Sequence, residues 1–376
     1  MADFLRYAQE KQAEIISLIS ELAACESPSD SPPAVNRLVD LLIEKTADIA
    51  RAKTFEPAKF GKTLRLEFQL PGEQKQGQVL ALGHSDTVWP LGTIKNMPVN
   101  VADGRLWGPG VLDMKAGLAF FVFAMRALRD LHIAVKHDVV LLVVSDEEVG
   151  STSSRTITEE EAKRSDCVLV LEPGTGFAGN LKTARKGVGD YRISIKGKAA
   201  HAGIDFTSGA SAIVEAARQI SEIAKFTDLD RGITVNPGVI SGGTRSNVIA
   251  ETAQLHVDVR VNRLPDAAAL DAKFRALKAK DDRCTVRVEG GLNRPPMERT
   301  EAIAALFSKA RALGEAMGVS VEESSTGGGS DGNFTAALGI PTLDGLGGVG
   351  EGAHAPNESI LLDRVADRVA LLAALV

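Results

Sequence analysis

The chain is poor in cysteine. Its three thiols, Cys25, Cys167 and Cys284, lie far apart, and no C-x-x-C pair occurs. That argues against a cysteine-ligated structural metal site and against a disulfide framework. Cys167 opens the apolar run CVLVLE and reads as a small buried hydrophobe. No apolar stretch has spanning length, and residues 1–10 are polar and charged, unlike a signal peptide. The expected setting is the cytoplasm, with no membrane partner. Net charge is only -6 and no long basic run appears, so nucleic acid is not an expected partner. The glycine-rich residues 326–331, TGGGSD, lack the Gly-Lys-Ser/Thr ending of a phosphate loop. They read either as a flexible turn or as a helix N-terminus offering backbone N–H groups to a substrate carboxylate.

A length of 376 residues exceeds one ordinary core, so two domains are expected. Apolar spacing predicts helices over 4–24, 34–44 and 117–130. Residues 64–70 and 79–82 read as strands, and 139–144 and 168–171 as strands buried on both faces. Alternation of such strands with helices points to an α/β domain with a mostly parallel sheet. After Gly187 the pattern changes. Alternating strands at 190–196, 233–241, 252–261 and 285–289 interleave with helices at 209–224 and 267–278. This β-α-β-β-α-β order predicts an inserted α+β ferredoxin-like module. The α/β character then returns, with helices over 301–317, 332–338 and 359–374 and strands over 319–323 and 341–345. The α/β domain is therefore expected to be discontinuous, at 1–180 and 291–376, with the module at 181–290.

Six short segments end in residues suited to holding or using metal: GHSDT, GPGVLDMKAG, SDEEVGS, LVLEPG, KAAHAG and GEGAHAP. Besides His201 they offer His84, Asp113, Glu147, Glu148, Glu172 and His354. Imidazole and carboxylate without thiolate suit an open hydrolytic site rather than a closed structural one. Each residue also has a plainer reading. His84 with Asp86 two positions on fits a core histidine beside a capping Asp. Asp113 fits a helix N-cap equally well. Asp-Glu-Glu fits a solvated turn, Glu172 a strand end, and His354 and His201 surface loops. The joint occurrence decides the matter. His84, the Glu147–Glu148 pair and Glu172 each follow a buried strand, and α/β sheets bind ligands at the carboxyl ends of their strands. Asp86 is positioned to orient His84, and of the adjacent pair one Glu can ligate while the other serves as base.

These motifs, in this order, resemble the M20 family of zinc peptidases, in its glutamate carboxypeptidase branch. GHSDTV, LDMKAG, SDEEVGS, HAG and TGGGSD carry the resemblance, which covers nearly the whole chain. It implies two zinc ions, or other divalent metals, bridged by Asp113. Glu148 and His354 would complete one site, His84 and Glu172 the other. Glu147 would be the general base, and His201 would help stabilise the oxyanion. Substrate carboxylate contacts would map to Asn247, Arg294, Thr326 and Gly329. The inserted module would serve dimerisation or act as a lid, giving a homodimer. The implied reaction cleaves the amide bond to a C-terminal amino acid, glutamate above all, of a small peptide or N-acyl conjugate. An aminoacylase of the same family with another amino-acid preference would share every ligand. A non-catalytic dimeric binding protein on a decayed hydrolase fold should have lost a ligand or the base, and none is missing here.

Overall fold

The computed structural model describes residues 2–56 and 59–376, which divide into two compact units. The first comprises Met1–Ala184, Arg299–Thr326 and Ser330–Val376. The second comprises Arg185–Glu298 with Gly327–Gly329. These limits differ from the expected ones by a few residues, for two reasons. The strand Leu181–Arg185 pairs with Glu323–Thr326, which keeps most of it in the first unit. The strand Thr285–Arg294 continues through Gly290 and Gly291, where the sequence suggested a stop. Both glycines have positive φ, and pairing continues past them with one irregularity between Leu292 and Arg294.

Among the described residues the main sheet of the first unit has six strands. Their order is Ala50–Phe55, Thr63–Phe68, Asp138–Val144, Gln78–His84, Cys167–Val170 and Thr342–Leu343. The last four run parallel and the first two pair antiparallel, so the sheet is mixed but mostly parallel. Alternate residues of one strand enter different cores. Val139, Leu141 and Val143 join a cluster with the helix Ala116–Asp130, while Val140, Leu142 and Val144 join one with Ala162. Cover on both faces is what makes the run VVLLVV, after the exposed Asp138, continuously apolar. A Cβ on Gly117 would lie 2.1 Å from the Leu171 carbonyl oxygen. The helix backbone is thus pressed against the segment leading to Glu172.

The second unit follows β-α-β-β-α-β: Gly187–Lys196, Ala212–Ile223, Thr234–Gly242, Thr252–Val261, Leu264–Arg275 and Thr285–Arg294. Its sheet order is Thr234–Gly242, Thr252–Val261, Gly187–Lys196, Thr285–Arg294, all antiparallel. That is the ferredoxin-like arrangement expected. Burial alternates along Gly187–Lys196, and the inward Tyr191 stacks on Phe274 with ring centroids 3.9 Å apart.

Several expected elements differ. The first helix is two, Ala2–Glu10 and Gln12–Ala24, divided at Lys11. The strand expected over 319–323 forms at Glu323–Thr326. The last helix begins at Val365, because Ser359–Leu361 pairs with Arg105–Trp107 in a small sheet that also holds Asn100–Ala102 and Gly350–Glu351. Strands of two or three residues carry no readable periodicity. No helix among the described residues is long and apolar enough to cross a membrane.

Candidate metal centre

Three adjacent parallel strands deliver the first ligand candidates to one edge of the sheet. His84 is the last residue of Gln78–His84, Glu148 lies in a short helical turn just after Asp138–Val144, and Glu172 lies just beyond Cys167–Val170. Asp113 sits in the irregular turn Val111–Lys115, with φ -114° and ψ 92°, ahead of the helix Ala116–Asp130. His354 follows the strand Gly350–Glu351 and has φ 63°. All five lie in the first unit.

The side chains form two clusters that share Asp113. His84 Nε2 lies 3.2 Å from Asp113 Oδ1 and 3.6 Å from Glu172 Oε1. His354 Nε2 lies 3.4 Å from Asp113 Oδ2 and 3.2 Å from Glu148 Oε2. Within each cluster the three ligand atoms fall within 4.8 Å of one another. The two oxygens of one carboxylate thus face two different imidazoles. Direct charge-assisted contacts would close to roughly 2.7–2.9 Å. Donors about 2.0–2.1 Å from a tetrahedral ion stand roughly 3.3 Å apart, close to the spacings here.

Two further observations fit metal. His84 Nδ1 lies 2.8 Å from the backbone carbonyl of Asp86, which can only accept, so Nδ1 is a donor and Nε2 is the nitrogen left to bind a metal once its own proton is displaced. Glu148 Oε1 is buried and has no hydrogen-bond partner among the described residues. A buried carboxylate oxygen without a donor is costly, and a cation relieves that cost.

Electrostatics agree. Burial opposes charge on His84, yet Asp113 and Asp86 draw its pKa well above the ordinary imidazole value. Asp113 and Glu148 raise His354 to about 10. Burial also opposes charge on Asp113, but His354 and His84 hold its carboxyl below the usual range. The carboxylates demand positive charge, and protons on the two imidazoles occupy the role that divalent ions would take in exchange.

Glu147 and Glu148 share the turn Glu147–Val149, so it is this turn, not strand alternation, that sets their side chains apart. The fully buried Asp86 contacts His84, as the sequence reading has it, chiefly through its backbone carbonyl. Its carboxylate stands 3.5 Å from His84 Nδ1, farther than its own carbonyl. The carboxylate instead accepts from the backbone N–H groups of Glu147 and Glu148, each at 3.2 Å, and from Ser29 Oγ at 2.7 Å. One aspartate therefore fixes the imidazole through its carbonyl and the two glutamates through its carboxylate.

Of the remaining candidates, Thr326 ends the strand Glu323–Thr326 in the first unit. Ser330 and Gly332 already spend their N–H groups on Asn333 Oδ1 and Ser330 Oγ, and the following helix Gly332–Ala337 has six residues. Those two N–H groups are therefore not available to an anion. In the second unit the exposed His201 accepts at Nδ1 from the N–H groups of Gly203 and Ile204, both at 3.1 Å, which leaves Nε2 as the donor. Asn247 lies beside it, its carbonyl accepting from the Ala202 N–H at 3.0 Å. Arg294 is not the exposed turn residue its Asn-Arg-Pro-Pro setting suggests. It is buried at the end of Thr285–Arg294, with Nη1 donating to Asn293 Oδ1 at 3.2 Å. Gly329 packs there too: a Cβ on it would lie 2.9 Å from Arg294 Cδ.

The chain matches the model of "Peptidase family M20/M25/M40" over residues 80–376. It belongs to that peptidase family. It is 33% identical to Carboxypeptidase G2 of Pseudomonas sp. (strain RS-16) over 279 residues, covering 73% of this chain and 67% of that one. Among solved structures, the aminopeptidase PepT of Bacillus cereus ATCC 10987 superposes with a TM-score of 0.82 at 23% identity, over 97% of both chains. An M20 family metallo-carboxypeptidase from Sulfolobus solfataricus gives 0.73 at 17% identity, over 96% of this chain and 98% of that one. These two likenesses establish the shared fold. The match to Carboxypeptidase G2 agrees with the branch that the motifs resemble, and this M20 member is a hydrolase of the metallopeptidase class.

Sequence reasoning passed over one residue of this M20 centre. Glu358 is wholly buried, and its carboxylate accepts from the backbone N–H groups of Gly110, Leu112 and Asp113. The only signal was an acidic residue four positions after His354, and its donors lie far earlier in the chain.

Proposed function

We propose that the protein is a dinuclear zinc carboxypeptidase that releases a C-terminal amino acid, glutamate above all, from a small peptide or N-acyl conjugate. The observation that carries this reading is Asp113, whose two oxygens face His84 and His354 at 3.2 and 3.4 Å. His84, Asp113 and Glu172 would hold one ion; Asp113, Glu148 and His354 would hold the other. Two divalent ions there would lower the pKa of a water between them and polarise the scissile carbonyl. Glu147, held at its backbone by Asp86, takes the proton of the attacking water and returns it to the leaving amine. His201, with Nε2 as donor, stabilises the oxyanion of the tetrahedral intermediate.

The amino-acid preference rests on Arg294. A guanidinium suits a carboxylate through two parallel hydrogen bonds, and burial strengthens that contact. Asn247, Thr326 and Gly329 are proposed as further contacts to the substrate. The protein is proposed to act in the cytoplasm as a homodimer joined through the second unit. Support for the dimer lies in the edge strand Thr234–Gly242, whose Val239 and Ile240 are more than half exposed.

The test is a panel of N-acyl amino acids and dipeptides assayed with zinc, beside metal analysis of the purified protein. Two equivalents of metal with preferred release of glutamate are expected. Preferred release of a neutral residue would reassign the protein to the aminoacylase reading, and fewer than two metals would remove the dinuclear one.

A further inference from the structure

Glu358 presents an unusual concentration of donors. Its side chain is wholly buried. Oε1 accepts from the N–H groups of Leu112 at 2.9 Å and Asp113 at 3.0 Å. Oε2 accepts from the N–H of Gly110 at 2.8 Å and from Trp89 Nε1 at 2.7 Å. Four donors converge on one carboxylate. Three of them are backbone N–H groups of Gly110, Leu112 and Asp113, at the start of the turn that carries Asp113, where Asp113 and Met114 depart from helical dihedrals. The backbone reinforces the link, with the Gly108 N–H donating to the Glu358 carbonyl at 3.2 Å.

Glu358 stands four positions after His354 on the same segment. It therefore joins the turn bearing Asp113 to the loop bearing His354. These two residues and Glu148 form one of the two clusters. The other cluster shares Asp113, but it draws His84 and Glu172 from strand ends that Glu358 does not touch, and it does not depend on the His354 loop. The loop of His354 is anchored at its base by the pairing of Gly350–Glu351 with Ser359–Leu361, but His354 itself is exposed and has left-handed backbone.

We propose that Glu358 is a positioning residue for the ion held by Asp113, Glu148 and His354, setting the distance between the two loops and hence that ion's affinity. The proposal rests on the two-metal reading above. A glutamine there would turn an NH2 group towards N–H donors and remove the charge that four donors serve.

The experiment titrates metal-free full-length protein with Co2+, followed by visible absorption, and with Zn2+ by equilibrium dialysis and metal analysis. Wild type should take up two ions. Glu358→Gln should take up the first as wild type does and bind the second about ten- to a hundredfold more weakly. Glu351→Gln, on the same segment but exposed and paired with Arg105, should match wild type. A second-ion constant in Glu358→Gln within twofold of wild type overturns the proposal, as does an equal loss of both ions, which is what a purely structural role gives. Wild type taking up fewer than two ions would remove the two-metal reading and the proposal with it. Should Glu358→Gln fail to fold, Trp89→Phe removes one donor and keeps the ring. It should weaken the second ion by about tenfold, the low end of the same range, and no change would be equally decisive against the proposal.

Discussion

Asp86 Oδ1 accepts the backbone N–H of Glu147 at 3.2 Å. The bond ties the proposed base to the residue whose carbonyl fixes the His84 ring. In Asp86→Asn one of the two oxygens facing the Glu147 and Glu148 N–H groups becomes an NH2, and the turn should shift. Because the Asp86 carbonyl remains, His84 should keep its tautomer and the protein its metals. We expect kcat to fall about ten- to a hundredfold with KM little changed. Steady-state kinetics with metal analysis of the same preparation is the check. Loss of a metal equivalent would place the effect on His84 instead.

Glu147 itself should be dispensable for metal and indispensable for turnover. Glu147→Gln is expected to lower kcat by about two to four orders of magnitude while two ions remain bound. A variant short of one ion would mean that Glu147 and Glu148 have exchanged roles.

Specificity should follow Arg294. Arg294→Ala is expected to reduce kcat/KM on N-acyl-glutamate by about ten- to a hundredfold, the worth of a partly closed bidentate contact. Lysine should restore only part of it. Gly329→Ala probes the same place without removing charge, since its new Cβ would crowd Arg294 Cδ and Val188 Cγ2, both at 2.9 Å. N-acyl-alanine run in parallel separates the outcomes. An equal fall on both substrates assigns Arg294 to the shared α-carboxylate, and no fall on either removes it from the site.

Association should depend on the edge of the second unit's sheet. Ile240 is 53% exposed on the edge strand Thr234–Gly242. Lysine is a residue that edge strands use to refuse partners. Sedimentation velocity at micromolar concentration should report a dimer for the unmodified protein and a monomer for Ile240→Lys. A monomer in both would end the dimer proposal.

The thiols should be inert. Burial pushes the Cys167 thiol up to about 11, and burial raises Cys25 and Cys284 as well. Only the thiolate reacts, and it is the high-pH form. Iodoacetamide should label Cys167 in the folded protein at pH 8 about a hundredfold more slowly than in the unfolded chain. Its rate should climb about tenfold per pH unit up to pH 10 without a plateau. Cys167 is half-buried rather than fully buried as its apolar run suggested, and rapid labelling at pH 8 would contradict the raised pKa.

His84, Glu148 and Glu172 were legible because each stands where an apolar run stops, whereas Asp113 and His354 were legible only from their place in the ordered set of motifs. DVVLLVV before Ser-Asp-Glu-Glu and CVLV before Leu-Glu are signals of the first kind, and the sheet brings those stops to one edge. What stayed hidden depends on contacts between distant segments. The buried carboxylate of Glu358 reads as a polar loop residue until its donors, more than two hundred positions earlier, come into place. Asp86 was singled out, but the use of its carboxylate depends on a turn some sixty positions further on. The strand through Gly290 and Gly291 was cut short because glycine weakens a strand locally, whereas pairing with Gly187–Lys196 sustains it.

The interruption of the first unit by the second also bears on the order of assembly at the ribosome. His84, Asp113, Glu148 and Glu172 all emerge before the inserted unit, and His354 emerges after it. One of the two clusters can be complete early in synthesis; the other waits until the whole insertion has been made. If the proposed ligand set holds, a nascent chain would gather the His84 ion first, while Asp113 still lacks the His354 and Glu358 loop. Closing that last loop spans most of the polypeptide, and the entropic cost of closure grows only slowly with length. On the two-metal reading proposed above, the late ion would act as a fastener across the insertion, joining the parts of the chain translated on either side of it.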